Sequence, residues 1–225
     1  KGFAFRLPDL SGERVRRELL LLLEAPHPLP SLKLMIQTNV IDAVIGRGYS
    51  ANLLNGLCQI ERKLQLQPDP VLRLAALIGT HSAAAPVAGR LHLSNFDRNR
   101  LNCALAPEPV LAAKASREEQ RITIYKYSAE QLQDRVLLAW SAAPAEVNWK
   151  EWLQELKTFM TPKFPLNGKD LTTFGIAEGP LIGDLLRQVE DWWISKAFEP
   201  DRNACLSQLT KIRDESGRLQ RGDGT

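Results

Sequence analysis

Apolar residues in this chain recur mostly every three or four positions, the spacing that lines one face of a helix. Val15, Leu19, Leu22 and Leu23 form the first such stripe. Ser11 precedes it as an N-cap, Glu13 falls in the first turn where the helix dipole favours an acid, and Pro26, Pro28 and Pro30 close it. Glu13 and Arg17 stand i,i+4 in the favourable order. A second helix is predicted from Tyr49 to Gln65 on Leu53, Leu57, Ile60 and Leu64, stopped by Pro68 and Pro70. A short apolar helix follows around Leu72 to Ile78, and Ser94 with Asp97 starts one carrying Phe96, Leu101 and Leu105. Ser128 with Gln131 reads as a capping box before Leu132, Val136, Ala139 and Trp140. Asn148 and Glu151 open a stripe of Trp152, Leu153, Leu156 and Phe159. Gly179-Pro180 places proline at the first helical position, ahead of Ile182, Leu185, Leu186, Val189 and Trp193.

Only Ile122 to Tyr127 alternates like a strand. A single strand has nothing to pair with, so this segment is read as helix. The fold class is therefore all-α, with about 9 to 11 helices by this periodicity. Soft boundaries divide the chain into 1–67, 68–160 and 161–214, and the polar, glycine-containing stretch 215–225 is expected to be disordered. Trp192 and Trp193 are adjacent on one helix, so one of them must face outward.

Composition adds limits. The 225 residues are 44% hydrophobic and 24% charged, which suits a packed domain rather than a disordered chain. A net charge of +3 permits contact with nucleic acid without requiring it. Cys58, Cys103 and Cys205, like His27, His81 and His92, are scattered, which argues for a reducing, cytoplasmic setting and against a zinc site. No apolar run approaches the ~20 residues of a membrane helix. The chain opens at Lys1 with neither an initiator Met nor a signal-peptide pattern, and is expected to be a piece of a longer protein.

Catalytic motifs do not emerge. There is no G-x-S-x-G, no P-loop and no Asp-x-Asp; Asp69 stands between two prolines, and Glu118-Glu119 and Glu190-Asp191 are adjacent pairs that diverge on helices. Leu166 to Gly183 instead suggests a short helix, a glycine turn and a longer helix. Gly175 can end the first helix in the left-handed region, and Gly179-Pro180 opens the second with unpaired N–H groups suited to a phosphate. Gly183 keeps that face flat, and Lys169 and Arg187 add charge; tight helix packing is the competing reason for these glycines. Seven basic and four acidic residues fall between Arg90 and Lys126. Arg98, Arg100, Lys114, Arg117, Arg121 and Lys126 are the candidate phosphate-tracking stripe, with Tyr125 and Tyr127 placed to stack on bases; a merely solvated face is the alternative.

Several segments resemble a known family. Leu10-Ser11-Gly12-Glu13-Arg14-Val15-x-x-Glu18-Leu19 is similar to the neck-closing helix of bacterial CCA-adding tRNA nucleotidyltransferases and poly(A) polymerases. Arg73 to Leu77, Arg90 to Asn95, Asp134 to Trp140 and Pro165 to Leu186 resemble the family's body and C-terminal motifs in the same order. The resemblance implies a multi-helix neck, body and tail array that grips tRNA. It implies that Glu13, Arg14 and Glu18 brace the neck through ion pairs and hydrogen bonds. It also implies a catalytic head before Lys1 as a partner, with Mg²⁺ and nucleoside triphosphates as cofactors of that head, and it admits a homodimer. The portion at hand is then expected to bind RNA without catalysing transfer. A helical protein-interaction scaffold is the alternative, and CCA addition and poly(A) addition are not separated by these residues.

Overall fold

The computed structural model describes residues 11–145, 148–176 and 179–222, with side chains to position 214. Among these residues there are thirteen helices and no strand. The count exceeds the periodicity estimate because several short helices carry too few turns to show a stripe.

The chain divides into two compact units, Lys1–Phe159 and Met160–Thr225. The first unit opens with α1 (Gly12–Glu24), whose N-cap Ser11 accepts the Arg14 N–H as its sequence predicts. Two short helices follow, α2 (Leu29–Gln37), with Pro30 in its first turn, and α3 (Val40–Ile45). Next come α4 (Ala51–Leu64) and α5 (Pro70–Ile78). Asp69 caps α5 by accepting the N–H groups of Val71 and Leu72, so the aspartate between two prolines has a local structural task. The Gln65–Asp69 turn, where a soft boundary was expected, joins two helices that pack on each other inside this unit.

Then follow α6 (His81–Arg90), α7 (Asn95–Leu105), α8 (Arg117–Tyr127), α9 (Ala129–Ala142) and α10 (Trp149–Thr158). The alternating segment Ile122–Tyr127 is helical, in the last turns of α8. Its start is fixed by a capping box in which Ser116 and Glu119 each accept the other's backbone N–H. The capping box expected at Ser128 does not form. Ser128 sits at φ 64°, makes no side-chain cap, and serves as the shared turn between α8 and α9. Asn148 likewise precedes α10 without capping it.

The core of this unit is one cluster that includes Leu23, Leu54, Leu57, Leu74, Leu77, Leu101 and Val136. Helix α5, whose eight residues after Pro70 are all buried, runs through it. Trp140, Trp149 and Trp152 are buried, and the last two donate their indole N–H to the carbonyls of Ala143 and Ala112.

The second unit holds α11 (Gly168–Thr173), α12 (Pro180–Ser195) and α13 (Arg202–Gly222). Helix α13 continues through 215–222, and 223–225 lie outside the described residues. Trp193 faces inward between Phe164 and Phe198, with ring centroids at 5.4 and 5.1 Å, and donates to the Pro200 carbonyl at 2.9 Å. Trp192 is half-buried. No helix of the described residues is long and apolar enough to cross a membrane.

Candidate nucleic-acid interface

Helix α1 sits where it does because of a glycine and two arginines. A Cβ on Gly12 would lie 2.3 Å from His92 Cδ2 and 2.5 Å from the Arg90 carbonyl oxygen, so only glycine lets α1 reach the turn after α6. Arg16 donates to the His92 carbonyl of the same turn. Arg73, 2% exposed on α5, donates to the carbonyls of Leu23 and Ala25 at the end of α1, at 2.6 and 2.7 Å. Its Nε reaches Glu61 of α4 at 2.8 Å. One guanidinium thus ties three helices together and satisfies carbonyls that the helix end leaves open. Glu13, Arg14 and Glu18, the residues expected to brace this region, are exposed. Among the described residues none of the three enters a side-chain ion pair, and the bracing contacts come from Gly12, Arg16 and Arg73 instead.

The basic stripe separates into two kinds of residue. Arg98, Lys114 and Lys126 are exposed and make no ion pair among the described residues. Arg100 is committed inward: it holds Asp134 through Nε and Nη2 at 2.7 and 3.0 Å, and Asp69 at 2.8 Å. Two carboxylates from distant segments keep its charge away from a ligand, so Arg100 joins α5, α7 and α9. Arg117 and Arg121 both bond to Glu155 of α10, a carboxylate only 4% exposed. Burial pushes the Glu155 pKa up, and the hydrogen bonds and charges of the two arginines more than reverse this, leaving it below the usual range. Tyr125 and Tyr127 are half-buried, the latter against the core.

In the second unit, α11 ends as its glycine predicts. Gly175, at φ 81°, donates to the Thr172 carbonyl, and Ile176 donates to that of Leu171. These are the paired bonds of a Schellman turn, with Leu171 and Ile176 both buried. Helix α12 begins at Gly179-Pro180 with neither a side-chain cap nor an acid in its first turn. Among the described residues nothing lies within 4 Å of where a Cβ would stand on Gly175, Gly179 or Gly183. Close packing between the described helices therefore does not account for these glycines, and Gly179, Pro180 and Gly183 are exposed among the described residues. Lys169 is exposed, and Arg187 pairs with Asp184 at 3.4 Å. Ala177 and Glu178 lie outside the described residues. Asp170 caps α11 and receives two bonds from Arg202, which hold its carboxyl down at about 2.

Sequence reasoning missed Glu155, Gly56 and the inward role of Arg135. Gly56 lets α4 approach α9, since its Cβ would meet the Ser141 carbonyl at 2.7 Å. Arg135 is buried and donates to the carbonyls of Cys103 and Pro109, holding the segment between α7 and α8. Each depends on partners far along the chain, which no local pattern signals. Among the described residues no group of three or more His, Cys, Asp and Glu side chains is placed to hold a metal ion.

Comparison with known proteins bears on the same regions. Positions 1–46 match a family model described as the probable RNA- and SrmB-binding site of polymerase A. The chain is 24% identical over 207 residues to the mitochondrial CCA tRNA nucleotidyltransferase 1 of Mus musculus, covering 91% of this chain and 47% of that protein. With the Homo sapiens counterpart it is 23% identical over 210 residues, again 91% and 47% of the two chains. The Danio rerio counterpart is 32% identical over 59 residues, 26% of this chain and 14% of that protein. The chain thus spans about half the length of the curated relatives it matches. The similarity to CCA tRNA nucleotidyltransferases thus runs along nine-tenths of this chain, and the model for the RNA-binding site of polymerase A matches its opening segment.

Proposed function

We propose that this chain is the RNA-holding, C-terminal part of a template-independent nucleotidyltransferase that adds CCA to the 3′ ends of tRNA, and that these residues do not themselves transfer nucleotides. The similarity to CCA tRNA nucleotidyltransferases over 91% of the chain carries the reading, and it favours CCA over poly(A) as the product. The RNA contacts would be the exposed cations Arg98, Lys114 and Lys126, the outward parts of Arg117 and Arg121, and the exposed N-terminal end of α12 with Gly179, Gly183, Lys169 and Arg187. Partners beyond RNA would be a catalytic head supplying Mg²⁺ and nucleoside triphosphate sites, and a second copy of the chain. The setting would be cytoplasmic, although the named relatives are mitochondrial.

Labelled tRNA titrated with this chain at 50 to 200 mM salt tests the proposal. Each duplex phosphate neutralised should contribute about −0.9 to the slope of log K against log salt. Radiolabelled CTP and ATP should not be incorporated. Absence of tRNA binding at the lowest salt would overturn the RNA-holding role, and incorporation by this chain alone would overturn the non-catalytic one.

A further inference from the structure

Glu155 is one of the few carboxylates buried in the first unit, and a charge taken out of water must be matched. The match comes from two arginines one turn apart on α8. Arg117 donates its Nε to Oε1 of Glu155, and Arg121 donates its Nε to Oε2 at 2.9 Å. Each guanidinium carries five N–H donors. Both spend the Nε edge on Glu155, and among the described residues no terminal nitrogen of either makes a bond. The two side chains remain 68% and 39% exposed. Arg121 also lies over the Phe159 ring at 5.3 Å, which limits rotation of its plane. A surface arginine ordinarily gives up its rotamer freedom when a ligand arrives; these two have given it up on folding.

We infer that Arg117 and Arg121, held side by side on the two oxygens of Glu155, form a clamp for backbone phosphates of the RNA, with Glu155 as its positioning residue. The idea rests on the RNA-holding function proposed above and assigns it a place. Field strength is not what makes this clamp. Lys114, Arg117 and Arg121 share this stretch with Glu118 and Glu119, and with Glu155 of α10 the balance is three cations against three acids. Directed N–H groups, fixed in orientation by a carboxylate beneath them, supply the recognition.

The sign of one substitution decides the matter. Glu155→Gln removes a negative charge beside a polyanion, which by field alone tightens RNA binding. If Glu155 positions the clamp, the same substitution weakens tRNA binding about tenfold, the loss of roughly one charge-assisted contact. It also makes the salt slope shallower by about 1 to 2. A second variant, R117K/R121K, keeps both charges and lets each ammonium pair with Glu155, but removes the outward fork. It should retain the helical circular dichroism and still bind less tightly. Unchanged or tighter binding by Glu155→Gln, or unchanged binding by the folded R117K/R121K protein, overturns the clamp while leaving the RNA-holding function standing. If Glu155→Gln does not fold, R117K/R121K alone decides. Failure of the unaltered chain to bind tRNA overturns both.

Discussion

At the scale of single residues, two glycines of similar appearance should behave in opposite ways. Gly12→Ala drives a methyl into the Arg90 carbonyl and the His92 ring, and α1 must shift. Gly89, within α6, has nothing among the described residues within 4 Å of its Cβ position. Gly89→Ala should therefore stabilise by about 0.5 to 1 kcal/mol, the helix-propensity difference. Gly12→Ala should destabilise by about 1 to 3 kcal/mol, as overpacking does; denaturant titration of both variants checks the contrast. Arg73→Ala leaves Glu61 as an uncompensated buried charge and should cost roughly 3 to 5 kcal/mol. Joint replacement of Arg73 and Glu61 by Met and Leu should recover much of that loss. What the sequence revealed at this scale was local. Ser11 and Ser94 are caps because their partners are three residues away. Arg73, Arg100 and Glu155 were opaque because theirs are 12 to 50 residues away, on other helices.

Whole elements were legible wherever a stripe was long enough. Most apolar positions of α4, α9 and α12 lie on their buried faces, while α3, six residues long, shows no period to read and the equally short α11 was legible only from its glycine turn. Ser128 was misread as a cap because the motif is common to caps and to tight helix–helix turns; the left-handed backbone there belongs to the turn. The candidate site was legible as a list of cations but not as a surface. Helix packing turned Arg100 inward and left Arg98 on the same helix exposed. Helix α11 also carries a pH dependence. The Asp170 carboxyl is held at about 2, below its ordinary 3.8, by Arg202 and the Asn167 N–H. A lowered folded value stabilises above the unfolded value and is lost as pH falls through the folded one. The stability difference between the natural chain and Asp170→Asn should thus be full at pH 5 and shrink between about pH 4 and 2, followed by circular dichroism.

For the molecule as a whole, the two units are joined at an exposed stretch. Met160 is 89% exposed, and Thr161 and Lys163 are exposed beside it. Limited proteolysis with thermolysin or trypsin should cut first within 159–163 and yield two resistant fragments, since compact units with their own cores resist cleavage while such connections do not. A first cut inside α4 or α9 would contradict that division. The Phe159–Met160 division lies next to the sequence boundary drawn at 160–161, where two prolines and a glycine interrupt the stripes.

The arginine knot at Arg73 also bears on how the molecule breathes. Helix α1 comes early in the chain and turns much of its surface to water, the usual profile of an element that opens and closes independently. Its last carbonyls, however, are held from the centre of the core. Backbone amides near Leu23 should therefore exchange with deuterium as slowly as those of α5, in one cooperative opening, while those near Ser11 exchange early. A probe bound along α1 would then report on the opening of the whole first unit, not on fraying of its first helix.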